Sequence, residues 1–154
     1  MMKGQFIFEF LVAGLLFFAV VLYSINYMNT NVRMFSANFY QDWLNDKVVQ
    51  ISEMLMNEHS PVSLVSDANV FNQTKIQDFQ NIYCNGNGYA KMINDFGLHE
   101  KREYGLVMHD ISITLNTSNN TIFTCGKTPA LPSASIERLG LLNGKISKLT
   151  VTVW

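Results

Sequence analysis

The chain has 154 residues, a length suited to one domain, and its eleven Lys+Arg against twelve Asp+Glu leave a formal net charge of -1. That balance argues against a nucleic-acid binder working by bulk electrostatics. Charged residues make up only 15%, where a soluble globular domain averages about 25%. The shortage is partly local. Residues 1–32 hold only Lys3 and Glu9, and no charge occurs from Phe10 to Val32. The composition argues against disorder, a basic DNA-binding arm and an ordinary cytosolic enzyme.

In chain order, the first element is an apolar segment. Phe6 to Tyr23 is apolar or small except for Glu9. As a helix it would be about 27 Å long, close to the hydrocarbon core of a bilayer. A secretory signal peptide needs a shorter apolar core and a small-residue cleavage site beyond it. Leu22-Tyr23-Ser24-Ile25-Asn26-Tyr27 supplies no such site. A plain membrane anchor fits the length but leaves Glu9 unexplained, because a carboxylate among apolar groups costs a few kcal/mol without a partner.

The residues around Glu9 form a more specific pattern. Met1-Met2-Lys3-Gly4 is a short basic stretch that ends in a small residue before the apolar run, and Gln5-Phe6-Ile7-Phe8-Glu9-Phe10 follows. This resembles the class III signal peptide of archaeal type IV pilin-like proteins. In that family, Lys/Arg-Gly/Ala precedes Gln-x-Ser-x-Glu-Phe and an apolar helix. Lys3, Gly4, Gln5, Glu9 and Phe10 match, and Ile7 stands where the family usually has Ser. The resemblance implies cleavage after Gly4 by a prepilin peptidase, residence in the membrane, and assembly into a surface filament. The implied partners are copies of itself or related pilins and the pilus assembly machinery. Cleavage would expose a positive amine on Gln5, with Glu9 one turn away on the same helix face. A carboxylate buried in a filament core is tolerable only when paired, and a neighbouring subunit's amine is the available cation.

Helical periodicity continues past the apolar run. Val32, Phe35, Phe39 and Trp43 form one stripe, and Tyr40, Leu44, Val48, Ile51 and Leu55 another. With Pro61 as the natural stop, the pattern predicts a helix from about Gln5 to Asn57, roughly 80 Å long. The cluster Asn29-Thr30-Asn31 consists of poor helix formers, so a break there is the alternative.

After Pro61 the pattern changes. Residues 61–73 read as loop with a short extended piece, Val62–Val65. Thr74–Tyr83 has near-helical spacing. Cys84-Asn85-Gly86-Asn87-Gly88 is a turn cluster, and Tyr89–Phe96 reads as a short helix ended by Gly97. Alternation then predicts strand from Tyr104 to Leu115, with a bulge at His109-Asp110 where the parity slips. Asn116–Asn120 reads as a turn, Thr121–Cys125 as a returning strand, and Gly126–Ser133 as a loop. The clearest signal is a hairpin of Ser135–Leu142 and Lys145–Trp154 around Asn143-Gly144. The fold class is therefore α+β: a leader over 1–4, a membrane or filament-core helix over 5–58, and a small antiparallel β-rich body over 59–154. Gly97-Leu98, the Tyr104–Leu115 strand and the closing hairpin also resemble the headgroup of the same family, more loosely.

In the pilin-like reading the body lies outside the membrane, where a Cys84–Cys125 disulfide is permitted. A metal site formed by these cysteines with His59, His99 or His109 lacks clustered ligand spacing, and neither a metal nor a cofactor is expected. Three sequons begin at Asn72, Asn116 and Asn119. The last two share one expected turn, as exposed glycosylation acceptors should. No nucleophile elbow, phosphate loop or zinc-helix motif is present, and no enzyme activity is expected. The alternative to a filament subunit is a single-span anchored extracellular binding domain that does not polymerise.

Overall fold

The computed structural model describes residues 3–102, 105–118 and 120–154, with the backbone alone at 3–7, 35–37, 100–102 and 105–107. It consists of a long N-terminal helix and a mixed six-stranded sheet with short helices, an α+β fold. Helix α1 runs from Lys3 to Met56, 54 residues. Residues 1–40 and 41–154 form two separate compact units.

Within the first unit, α1 continues through the Asn29-Thr30-Asn31 cluster. Thr30 Oγ1 donates to the Asn26 carbonyl at 2.9 Å, and Asn31 Nδ2 donates to the Tyr27 carbonyl at 3.0 Å. These polar side chains bond back one turn to the helix backbone. The two stripes seen in the sequence have different fates. Leu44, Val48, Ile51 and Leu55 are buried in the second unit, whereas Val32 and Phe39 remain exposed.

The second unit begins with the last turns of α1. The segment expected as loop contains a small hairpin, β1 (Val65–Asp67) and β2 (Val70–Phe71), turned by Asn69 at φ 59°. Its first strand thus begins where the expected extended piece ends. Helix α2 (Gln73–Phe79) follows, capped by Asn72, whose Oδ1 accepts from the N–H groups of Thr74 and Lys75. It runs into a π-helical turn, Gln80–Cys84.

Helix α3 (Gly88–Asp95) ends as its sequence requires. Gly97 adopts φ 63°, Gly97 N–H bonds to the Asn94 carbonyl, and Leu98 N–H bonds to the Ile93 carbonyl. This is a Schellman closure, with Leu98 and Ile93 both buried.

The predicted bulge at His109-Asp110 is instead a break between strands of different sheets. Strand β3 (His99–Arg102) pairs with β4 (Gly105–Met108) in a two-stranded ribbon, and β5 (Ile111–Thr117) belongs to the main sheet. Tyr104, expected to open the strand, lies outside the described residues. At the break, Asp110 and Trp154 exchange backbone bonds of 3.0 and 3.1 Å, and His109 N–H bonds to the Leu98 carbonyl. The parity slip thus marks a change of partner.

Strands β6 (Thr121–Gly126), β7 (Ala134–Leu142) and β8 (Lys145–Val153) complete the main sheet, ordered β1-β2-β7-β8-β5-β6. The β7–β8 hairpin turns on Asn143 (φ 52°) and Gly144 (φ 76°), the positive-φ pair that Asn-Gly provides most readily. One pair, β2–β7, is parallel, so the sheet is mixed rather than wholly antiparallel.

The inner face of the sheet carries Ile111, Ile113, Leu115, Phe123, Leu149, Val151 and Val153, all buried. The opposite face carries Thr114, Thr124, Thr150 and Thr152, as expected of a sheet solvated on one side. Arg138 on β7 reaches the α1 end of this unit: its Nε donates to Ser52 Oγ at 3.2 Å, and its guanidinium pairs with Glu53.

Candidate assembly segment and the body's fixed points

The N-terminal part of α1 is the candidate working surface. Lys3, Gly4 and Gln5, the expected leader boundary, lie in its first turns. Glu9 and Phe10 follow on the helix and both are exposed. From Phe8 onward, large apolar side chains lie open on all sides: Phe8 69%, Phe10 76%, Phe17 64%, Phe18 64% and Tyr23 72%. The intervening residues do not hide them, because successive residues rotate about 100° and the apolar groups cover the whole circumference. Among the described residues this is the one helix long and apolar enough to cross a membrane, by length and composition.

Cys84 and Cys125 form a disulfide with Cα atoms 5.1 Å apart, closing a sequence separation of 41. Cys125 lies on β6, the returning strand, which stands at the end of the sheet. The bond therefore ties the π-helical turn to the sheet's last strand. Around it, the rings of Phe79 and Phe123 are 6.1 Å apart and those of Phe79 and Tyr83 are 4.9 Å apart.

The sequons fall in three settings. Asn72 caps α2. Asn116 lies inside β5, opposite both Thr121 and Lys148, and its Oδ1 is buried with no hydrogen-bond partner among the described residues. That is a strand position where a turn was expected, because β5 extends to Thr117 before the chain reverses. Asn119 lies outside the described residues.

A polar cluster that the sequence did not disclose joins three elements. The Tyr89 hydroxyl, on α3, donates to Asp110 Oδ1 at 2.7 Å and accepts from the Ile111 N–H at 3.2 Å. Lys127 Nζ lies 2.7 Å from the same Asp110 oxygen and 5.2 Å from the Tyr89 ring centroid. Burial, followed by the Asp110 hydrogen bond, pushes the Tyr89 hydroxyl pKa up. Burial would also raise the Asp110 carboxyl, but the Lys127 and Tyr89 hydrogen bonds outweigh it and hold the group below its ordinary value. Tyr83 behaves similarly: burial and then its 2.9 Å hydrogen bond to Asp95 push it up to about 12. The hydrogen bonds tie α3 to the start of β5 through Tyr89, and the π-helical turn to α3 through Tyr83 and Asp95. A cluster assembled from residues 17 and 21 positions apart has no local sequence signal.

His109 is buried with its ring centroid 4.2 Å from that of Trp43. His59 is exposed beside Glu58 at 3.2 Å. The structure does not gather the three histidines with the cysteines, and among the described residues no group of three or more His, Cys, Asp or Glu is placed to hold a metal. Family models, curated proteins and solved structures were compared with the chain, and none matches.

Proposed function

We propose that the chain is a structural subunit, a pilin or minor pilin, of an archaeal type IV pilus-like surface filament. The observation that carries this reading is the sequence Lys3-Gly4-Gln5 with Glu9-Phe10 at the head of a helix whose apolar surface is open on every side. An uncovered apolar cylinder needs either lipid or other helices around it. A filament subunit uses both in turn, first as an anchor in the membrane and then in a helical core.

The chemistry of the leader fits this use. Cleavage after Gly4 by a prepilin peptidase leaves the Gln5 amine and the Glu9 carboxylate one turn apart. In a packed core, the carboxylate of one subunit takes the amine of the next, and the pair sets register between helices. The disulfide-closed, hydroxyl-rich body suits an oxidising exterior, and of the sequons at Asn72, Asn116 and Asn119 the first two would have to give up a helix cap or a strand position to be glycosylated in the folded body.

The test is Glu9→Ala in the native host. The variant is expected to be cut after Gly4 and retained in the membrane, but to be absent from filaments sheared off the surface. Assembly equal to the parent chain would remove the role of Glu9 and favour a non-polymerising anchor.

A further inference from the structure

The outer face of the main sheet carries an open groove of about 420 Å³, within the range of small-ligand sites. Its floor is a grid of short polar side chains on adjacent strands. Ser112 lies opposite Thr152, and Thr114 lies opposite both Thr150 and Thr124. Neighbours in such a grid stand about 4.8 Å apart across strands and about 7 Å apart along them. Asn116, two residues on from Thr114, also lines the groove.

One wall is the chain that follows β6. Gly126 (φ 112°) sets its backbone against Ile111, where an added Cβ would meet the Ile111 carbonyl. The Lys127 N–H bonds to that carbonyl at 3.1 Å, and Lys127 Nζ pairs with Asp110. These contacts hold Lys127, Thr128 and Pro129 beside the floor.

The lining has hydrogen-bonding groups to spare. Thr152 Oγ1 pairs with Ser135 Oγ at 3.1 Å, but among the described residues the hydroxyls of Ser112, Thr114 and Thr150 form no hydrogen bond. Ser112 is only 7% exposed, and Asn116 Oδ1 is buried with no partner among the described residues. Buried polar groups left unpaired are costly, so these positions favour a ligand that supplies the missing bonds. The lining is also electrically neutral. Lys127 is paired with Asp110, and Glu137 and Lys148, which flank the groove on β7 and β8, pair with each other at 2.8 Å.

We propose that this groove is a saccharide-binding site. Serine and threonine hydroxyls both donate and accept, and the Asn116 amide oxygen accepts. Sugar hydroxyls have the same dual character, so one ring can satisfy several floor groups together. An anionic or cationic ligand would find no free counter-charge, and an apolar one would leave the hydroxyls unpaired. The groove belongs to the body alone. It is independent of leader cleavage and of Glu9, and it would serve a filament subunit and a non-polymerising anchored domain alike.

The test uses the full-length chain in lauryldimethylamine oxide, a detergent without a sugar headgroup, titrated with the methyl glycosides of glucose, galactose, mannose and N-acetylglucosamine. Binding is read from amide NMR shifts, including the Asn116 side-chain amide. At least one glycoside is expected to shift Ser112, Thr114, Asn116 and Thr150 saturably, with an affinity that added salt leaves unchanged. Thr114→Val keeps a β-branched side chain and removes one hydroxyl, so it is expected to weaken that glycoside about fivefold. Ser66→Ala, on β1 and outside the groove, is expected to leave the affinity as it was. Glucuronate is expected to bind no more tightly than the glucose glycoside. Glycosides that shift none of these amides overturn the proposal. So does binding unchanged by Thr114→Val in a chain whose other amide shifts match the parent's. Tighter, salt-dependent binding of glucuronate also overturns it, because that would mark an anion site at Lys127.

Discussion

Replacing Cys84 and Cys125 together with alanine removes the covalent tie between the π-helical turn and β6. The magnitude follows from the closed loop. With a sequence separation of 41, the chain-entropy relation gives about 4 kcal/mol at 25 °C. Cys125 is buried, so its lost sulfur adds a smaller packing cost in the same direction. A domain of this size is typically stable by about 5–15 kcal/mol, so the loss is a large share of the total. At roughly 4 °C per kcal/mol, it corresponds to a fall in Tm on the order of 15 °C. The assay is thermal unfolding of the full-length chain in detergent, followed by near-ultraviolet circular dichroism, which reports the packing of Phe79, Tyr83 and Phe123 around the bond. Reduction of the parent chain should lower Tm by a similar amount without any substitution. A fall of only about two degrees in both experiments would refute the reasoning, because it would mean that the loop is already closed without the bond.

Two further predictions concern the body. Asp110 has its pKa lowered in the folded state, so its contribution is present above the ordinary aspartate value of about 3.9 and is lost as pH falls through the lower folded value. Asp110→Asn should therefore reduce stability near neutral pH and flatten the acid limb of a stability–pH curve, measured by denaturant titration between pH 7 and pH 2. An acid limb as steep as the parent's would show that other carboxylates dominate. Gly140 lies where an added Cβ would be 2.6 Å from the Asn69 carbonyl oxygen and 2.7 Å from the Phe71 ring. Gly140→Ala is expected to cost about 1–3 kcal/mol in urea unfolding by prising the β1–β2 hairpin from β7.

Elements whose cause is local were legible in the sequence. Asn143-Gly144 needs positive φ at both positions, and the hairpin is found there. Gly97 after Phe96 closes α3 through two specific backbone bonds. The stripe Leu44, Val48, Ile51 and Leu55 is buried as its spacing requires. Helix α1 continues through Asn29–Asn31, where Thr30 and Asn31 bond back one turn to its backbone.

What was not legible depends on partners far along the chain. Alternation through Tyr104–Leu115 cannot reveal that β4 and β5 pair in different sheets. The position of Cys125 on an end strand follows from strand order, which no residue near it encodes. Asn116 was read as a turn residue because Asn clusters favour turns, but pairing with both β6 and β8 carries it into the strand.

The central claim is that the residues before Gln5 are a leader removed on the way to a filament. It is tested most directly by determining the N-terminus of the chain recovered from membranes and from material sheared off the surface of the native host. The account predicts a mature chain beginning at Gln5 in both fractions. A chain that still begins at Met1, or one that begins beyond Ser24, would contradict it.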